Sequence, residues 1–121
     1  MAFREITLLS GAKLTLGKDA KSNDELVRMF KGKTNIIIHT KNPGSPFGVI
    51  QSLKPTKEDL ISSAIIVSRY SQDWRDYQKD VMVSVFTGKN VKKSVSMKEG
   101  TWAVDKARTI RVKKEDILKI I

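Results

Sequence analysis

Three consecutive isoleucines, Ile36, Ile37 and Ile38, place the strongest constraint on how this 121-residue chain can fold. Successive side chains on a strand point to opposite faces, so a run with no polar alternation needs apolar cover on both sides and reads as an inner strand. The run ends in the single histidine, His39, and leads through Lys41 into the tight turn Pro43-Gly44-Ser45-Pro46. A second apolar run, Phe47 to Gln51, supplies a neighbouring strand. The polar groups of the turn are thereby held at the rim of a buried sheet, where binding residues concentrate.

The rest of the chain supplies partners for that sheet. Ile6 to Ser10 and Lys13 to Leu16 read as a hairpin turning at Gly11-Ala12. Ser22-Asn23-Asp24-Glu25 has the form of a capping box, which predicts a short helix from about Asn23 to Phe30 burying Leu26, Met29 and Phe30. Thr56 is the expected N-cap of the longest helix, with Leu60, Ile61, Ala64, Ile65, Val67 and Ser68 at helical spacing and Glu58, Asp59, Ser62 and Arg69 on a polar side. Val81, Val83 and Val85 alternate along a strand closed by Gly88-Lys89-Asn90. Further strands are expected over Val91 to Met97, Thr101 to Val104 and Thr109 to Val112, with a terminal helix from Glu115 to Ile121 burying Ile117, Leu118 and Ile121. No linker or repeat divides the sequence, so residues 1–121 are expected to form one α+β domain, with a mixed or antiparallel sheet packed against one long and one or two short helices.

Composition narrows what such a domain can do. The 23 lysines and arginines outnumber the 13 acids by ten, and a field of that sign draws anionic partners, nucleic acid above all. Between Thr87 and Lys114 nine basic residues, including Lys89, Lys92, Lys93, Lys98, Arg108 and Arg111, face two acids, so seven of the ten excess charges fall on the C-terminal β-ribbon. No apolar run is long enough to span a bilayer, and Met1-Ala2-Phe3-Arg4-Glu5 starts neither a signal peptide nor a lipidation motif, which together predict a cytoplasmic protein with no membrane partner. Absence of cysteine excludes disulfides and thiol chemistry, and a lone histidine argues against a zinc site; no cofactor or metal is expected. Nothing in the sequence bears on the oligomeric state.

Individual residues carry two readings each. His39 is either a half-buried histidine bonded to a loop carbonyl or, with Ser45, a polar contact to a phosphate or base edge. Catalysis is disfavoured, because a His and a Ser six residues apart lack an orienting acid and an oxyanion site. Gly17-Lys18 precedes a helix, yet Asp19 stands where a nucleotide-binding loop needs Ser or Thr; a plain turn competes with a backbone phosphate contact at the helix start. Trp74, Tyr77 and Trp102 either pack in the core or stack on unpaired bases.

Taken in order, Phe3-Arg4-Glu5, Gly11, Gly17-Lys18-Asp19-Ala20, Asn23-Asp24-Glu25-Leu26, the His39 strand with Pro43-Gly44-Ser45 and Val49-Ile50, the helix ending at Ser68, Val81 to Phe86, Val91-Lys92-Lys93, Gly100 ahead of Trp102, and Thr109-Ile110-Arg111-Val112 resemble the NFACT-R domain. That domain is the RNA-binding module of the RqcH and NEMF proteins of ribosome-associated quality control, and the pattern covers nearly the whole chain in what looks like a stand-alone form. The resemblance implies an RNA partner, tRNA or rRNA, and an association with the ribosome's large subunit. Combined with the charge, it implicates Lys18, His39, Lys41, Ser45, Lys89, Lys92, Lys93, Lys98, Arg108 and Arg111 in RNA contact. Two alternatives stay open: an RNA-processing or RNA-modifying enzyme subunit using His39, and a basic protein-interaction scaffold.

Overall fold

A computed structural model describes residues 3–121; Met1 and Ala2, the first two residues of the Met1-Ala2-Phe3-Arg4-Glu5 stretch, lie outside them. In chain order the elements are β1 (Phe3–Thr7), β2 (Lys13–Gly17), α1 (Ala20–Phe30), β3 (Ile36–Thr40), β4 (Gly48–Ile50), α2 (Lys57–Arg69), α3 (Gln72–Tyr77), β5 (Val81–Thr87), β6 (Val91–Lys92), β7 (Ala103–Val104), β8 (Arg108–Val112) and α4 (Lys114–Leu118). Six strands form one antiparallel sheet in the order β1-β2-β4-β3-β5-β8, and β6 pairs with β7 in a separate ribbon. The fold is therefore the expected α+β class.

The isoleucine run receives cover on both faces. Ile38 joins Leu14, Leu16, Ile50, Val83 and Val85 beneath Ala64 and Val67 of α2, Trp74 of α3 and Ile117 of α4. Ile37 points the other way, into Leu26, Val27 and Phe30 of α1, Phe47, Val49, Phe86 and the ribbon residues Val91 and Trp102. Both isoleucines are 0% exposed, which accounts for the absence of polar alternation. Small residues bring α2 close to the sheet: Ser63, Ala64 and Ser68 are buried on it, and a Cβ on Gly48 would lie 2.8 Å from Val67.

Two helices differ from their sequence patterns. α1 starts at Ala20, because Asp19 caps it and exchanges hydrogen bonds with Ser22, one capping box upstream of the expected pair. Its buried stripe is Asn23, Leu26, Val27 and Phe30, and Met29 is 53% exposed. In α2 the Thr56 cap is as expected, but Asp59, placed by pattern on the polar side, is buried under the Ser10 hydroxyl at 2.6 Å, while Ile61 is exposed. α4 buries only Ile117; Leu118 and Ile121 face solvent. The expected strand over Val91 to Met97 shrinks to two residues, as does that over Thr101 to Val104. Among the described residues no helix is long and apolar enough to cross a membrane.

Cover on the α1 face is incomplete. Where β3 ends, His39, Ser84 and Met82 are only half-buried, and Thr109 and Arg111, which pair with Ser84 and Met82, are exposed on the same side of the sheet. This uncovered end is where a site can form.

Candidate nucleic-acid interface

A cleft of about 730 Å³ opens there. His39, Ser84 and Phe86 come from the sheet; Gly17, Lys18 and Asp19 from the turn before α1; Lys41 to Phe47 from the β3–β4 loop; Arg4, Tyr70 and Arg75 from β1, the end of α2 and α3; and Glu99 to Trp102 from the segment between β6 and β7. Lys18 is thus brought together with His39, Lys41 and Ser45, which come from a separate stretch of the chain.

Local chemistry fixes each wall. The Thr40 amide donates to Ser45 Oγ at 3.0 Å, Ser45 Oγ donates to the Pro46 carbonyl, and Thr40 Oγ1 donates to the Asn42 carbonyl at 2.6 Å. The Gln72 amide reaches the Gly44 carbonyl at 2.8 Å and Asn42 Nδ2 reaches Asp73, so α3 pins the loop from outside. On the other side Asn23 Oδ1 accepts from the Phe47 amide at 3.1 Å, and the approach of α1 is so close that a Cβ on Gly17 would lie 2.0 Å from that oxygen. Gly17 therefore has to be glycine.

The hydrogen bonds also decide between the readings of several residues. The Ser45 hydroxyl is buried and committed to its own loop, so it shapes the site rather than reaching a ligand. The amides of Lys18 and Asp19 both donate to Ser22 Oγ, at 2.7 and 3.0 Å, and the Asp19 carboxylate sits at the helix start, held below the usual carboxylate range by the Ser22 amide and hydroxyl. That closes off the backbone phosphate contact and leaves Lys18 its side chain. His39 stacks on Phe47 with ring centroids 4.2 Å apart and 27° between planes, and Phe47 meets Phe86 edge-on at 6.4 Å. Burial pushes the His39 imidazole below its ordinary pKa, against an opposing pull from the backbone of Thr40 and Ser45, so the ring is neutral at pH 7. None of the hydrogen bonds among the described residues joins it to a carboxylate. No group of three or more metal-ligating side chains occurs among them either.

The C-terminal cations do not form one ribbon surface. Lys93, expected to face a phosphate, turns inward: its Nζ donates to Asp24 Oδ1 at 2.8 Å and to the carbonyls of Lys98 and Thr101 at 2.9 Å, which occupies all three protons. Asp24 Oδ1 also accepts from the Gly100 amide and from Trp102 Nε1. Lys92 is exposed and 3.7 Å from Asp105, and Lys89 and Lys98 are exposed in turns. Arg111 shares the cleft's side of the sheet and approaches Asp80 at 3.8 Å; Arg108 pairs with Val85 and points to the α2 face. Trp74 and Trp102 are buried in the core, and Tyr77 is exposed.

Sequence reasoning missed the wall made by Arg4, Tyr70 and Arg75. The Arg4 guanidinium lies 4.2 Å from the centre of the Tyr70 ring and donates to its hydroxyl at 3.3 Å, across 66 residues of chain. Helical spacing at the end of α2 marks Tyr70 as a turn residue and carries no sign of its long-range partner.

Comparison with known proteins bears on this geometry. The family model for the NFACT protein RNA binding domain matches residues 3–106. None of the curated proteins matches the chain. A similar solved structure is the C-terminal part of the fibronectin/fibrinogen-binding protein from Streptococcus suis, with a TM-score of 0.85 and 23% identity over 100% of this chain and 49% of that one. The chain thus spans about half the length of that structure, and at this identity the likeness is one of fold.

Proposed function

Because this chain belongs to the NFACT RNA-binding domain family, we propose that its cleft holds a structured RNA, a tRNA or a ribosomal RNA of the large subunit, in the cytoplasm where translation runs. Family membership supports RNA as the partner in general. The finer reading rests on one observation: Lys18 and Lys41, from the turn before α1 and the β3–β4 loop, line the opening beside the neutral His39, while Arg4 and Arg75 extend its cationic rim around the sheet end on the α2 side. Cations so gathered neutralise neighbouring phosphates and release their counterions, and the resulting affinity depends on salt.

Filter binding of tRNA and of ribosomal RNA fragments across a salt series tests this reading. Each phosphate contact contributes about 0.7 to 0.9 to the slope of log affinity against log salt, so three or four contacts give a slope of about −2 to −4. Lys18→Glu with Lys41→Glu is expected to flatten that slope by about 2 and to weaken all RNA sequences alike. A slope near zero, or a double variant that binds like the wild type, would overturn it.

A further inference from the structure

We propose that the cleft takes an unpaired nucleotide of the RNA, with the base laid on the His39 ring and its phosphates toward Lys18 and Lys41, and that it does not receive a duplex. This rests on the RNA-binding reading above and adds which form of RNA the site accepts.

Shape is the first argument. A concavity of about 730 Å³ lies within the range of roughly 300–1,000 Å³ usual for small-ligand pockets, room for one or two nucleotides. A double helix, by contrast, is recognised along its outside, by contacts spread over successive grooves and both backbones. Here Lys18 and Lys41 flank one opening.

The second argument is the floor. Phe47 stacks on His39 and is itself braced by Phe86, and all three rings line the cleft, so the imidazole is held as a fixed flat surface at its floor. Aromatic rings of this kind stack on unpaired bases whatever their identity. Being uncharged, the His39 ring can lie against a base without desolvating a charge.

Charge gives the polarity. The two carboxylates that line the cleft are Asp19, bonded to the Ser22 amide, and Glu99, on the β6–β7 segment. Glu99 repels a phosphate at its own wall and can accept from a base amino group. The exposed side chains of Lys18 and Lys41 are therefore left to take the backbone phosphates, and the uncharged His39 ring the base. The walls are tied by the Gly44–Gln72, Asn23–Phe47 and Asp24–Gly100 hydrogen bonds, so the pocket exists before the ligand arrives.

The test is fluorescence anisotropy with the wild-type protein and three RNAs of the same sequence: a single strand of roughly 8 nucleotides, the blunt duplex it forms with its complement, and that duplex with an unpaired overhang. The single strand and the overhang are expected to bind about tenfold or more tighter than the blunt duplex. A single strand carrying 2-aminopurine should lose fluorescence on binding, because stacking quenches it; this readout needs no variant. His39→Ala is expected to weaken the single strand about tenfold and the blunt duplex hardly at all, and His39→Phe to restore the single strand. Equal affinity for single strand and duplex, or unquenched 2-aminopurine, would overturn this inference and leave the RNA-binding reading standing. Failure of every RNA to bind would sink both.

Discussion

Asp24 shows how one side chain can organise a site it does not enter. Its Oδ1 takes Lys93 Nζ, the Gly100 amide and Trp102 Nε1, all within 3.0 Å, and the side chains of Lys93 and Asp24 are 12% and 7% exposed. Burial alone would raise its pKa, but the hydrogen bonds from Lys93, Gly100 and Trp102 and the Lys93 charge outweigh it, and the carboxyl is held below the usual range. Asp24→Asn keeps the shape and removes the charge, leaving the Lys93 ammonium buried and unmatched, at a cost of about 3 kcal/mol. Urea unfolding at pH 7 measures that cost. A carboxyl whose native pKa is depressed stabilises the fold above its unfolded value of about 3.9, and that contribution is lost as pH falls through the native value. The gap between wild type and Asp24→Asn should therefore narrow steadily below pH 4. A gap of the same size at pH 7 and pH 3 would show that packing, not charge, sets the effect.

At the scale of elements, the segment between β6 and β7 follows tertiary bonds rather than its own pattern. Val91, Lys93, Val95 and Met97 alternate as a strand would, yet Val95 is fully exposed and Lys93 is drawn inward to Asp24, so pairing stops at Lys92. Lys93→Met should loosen this wall of the cleft: amides from Ser94 to Thr101 are expected to exchange faster with deuterated water, and RNA affinity to fall several-fold without change in the salt slope. Lys92→Glu, by comparison, should leave exchange untouched. Identical exchange in Lys93→Met and wild type would remove the structural role assigned to Lys93. What was legible in the sequence follows the same division. Ile36 to Ile38, the Val81 to Val85 alternation and the Thr56 cap are local signals, and the elements form where those signals point. The start of α1 was not legible, because Ser22 fits two capping boxes and only the burial of Asn23 and Asp24 against distant partners decides between them. Lys18, His39 and Lys41 stood out because they flank turns, whereas Arg4 and Arg75 reach the cleft only through strand pairing and helix packing.

For the whole molecule the question is whether RNA is held by the summed field or by the cleft. Of the C-terminal cations expected to act together, Lys93 is internal, Arg111 lies on the cleft's side of the sheet and Arg108 on the α2 side, so the sheet itself divides them. A net charge of +10 attracts polyanions from every direction, but such attraction is long-range, is screened beyond about 8 Å at physiological salt, and does not distinguish one face from another. A cleft does distinguish. Arg108→Glu and Lys41→Glu change the total charge equally, and both side chains are exposed, so neither substitution is expected to disturb the fold. If the cleft carries the contacts, Lys41→Glu weakens tRNA binding about tenfold near 0.15 M salt and lowers the salt slope by about 1, while Arg108→Glu stays within about twofold of the wild type. Equal losses in the two variants would mean that the global field does the holding, and the assignment of Lys18, His39 and Lys41 to the RNA contact would fall with it.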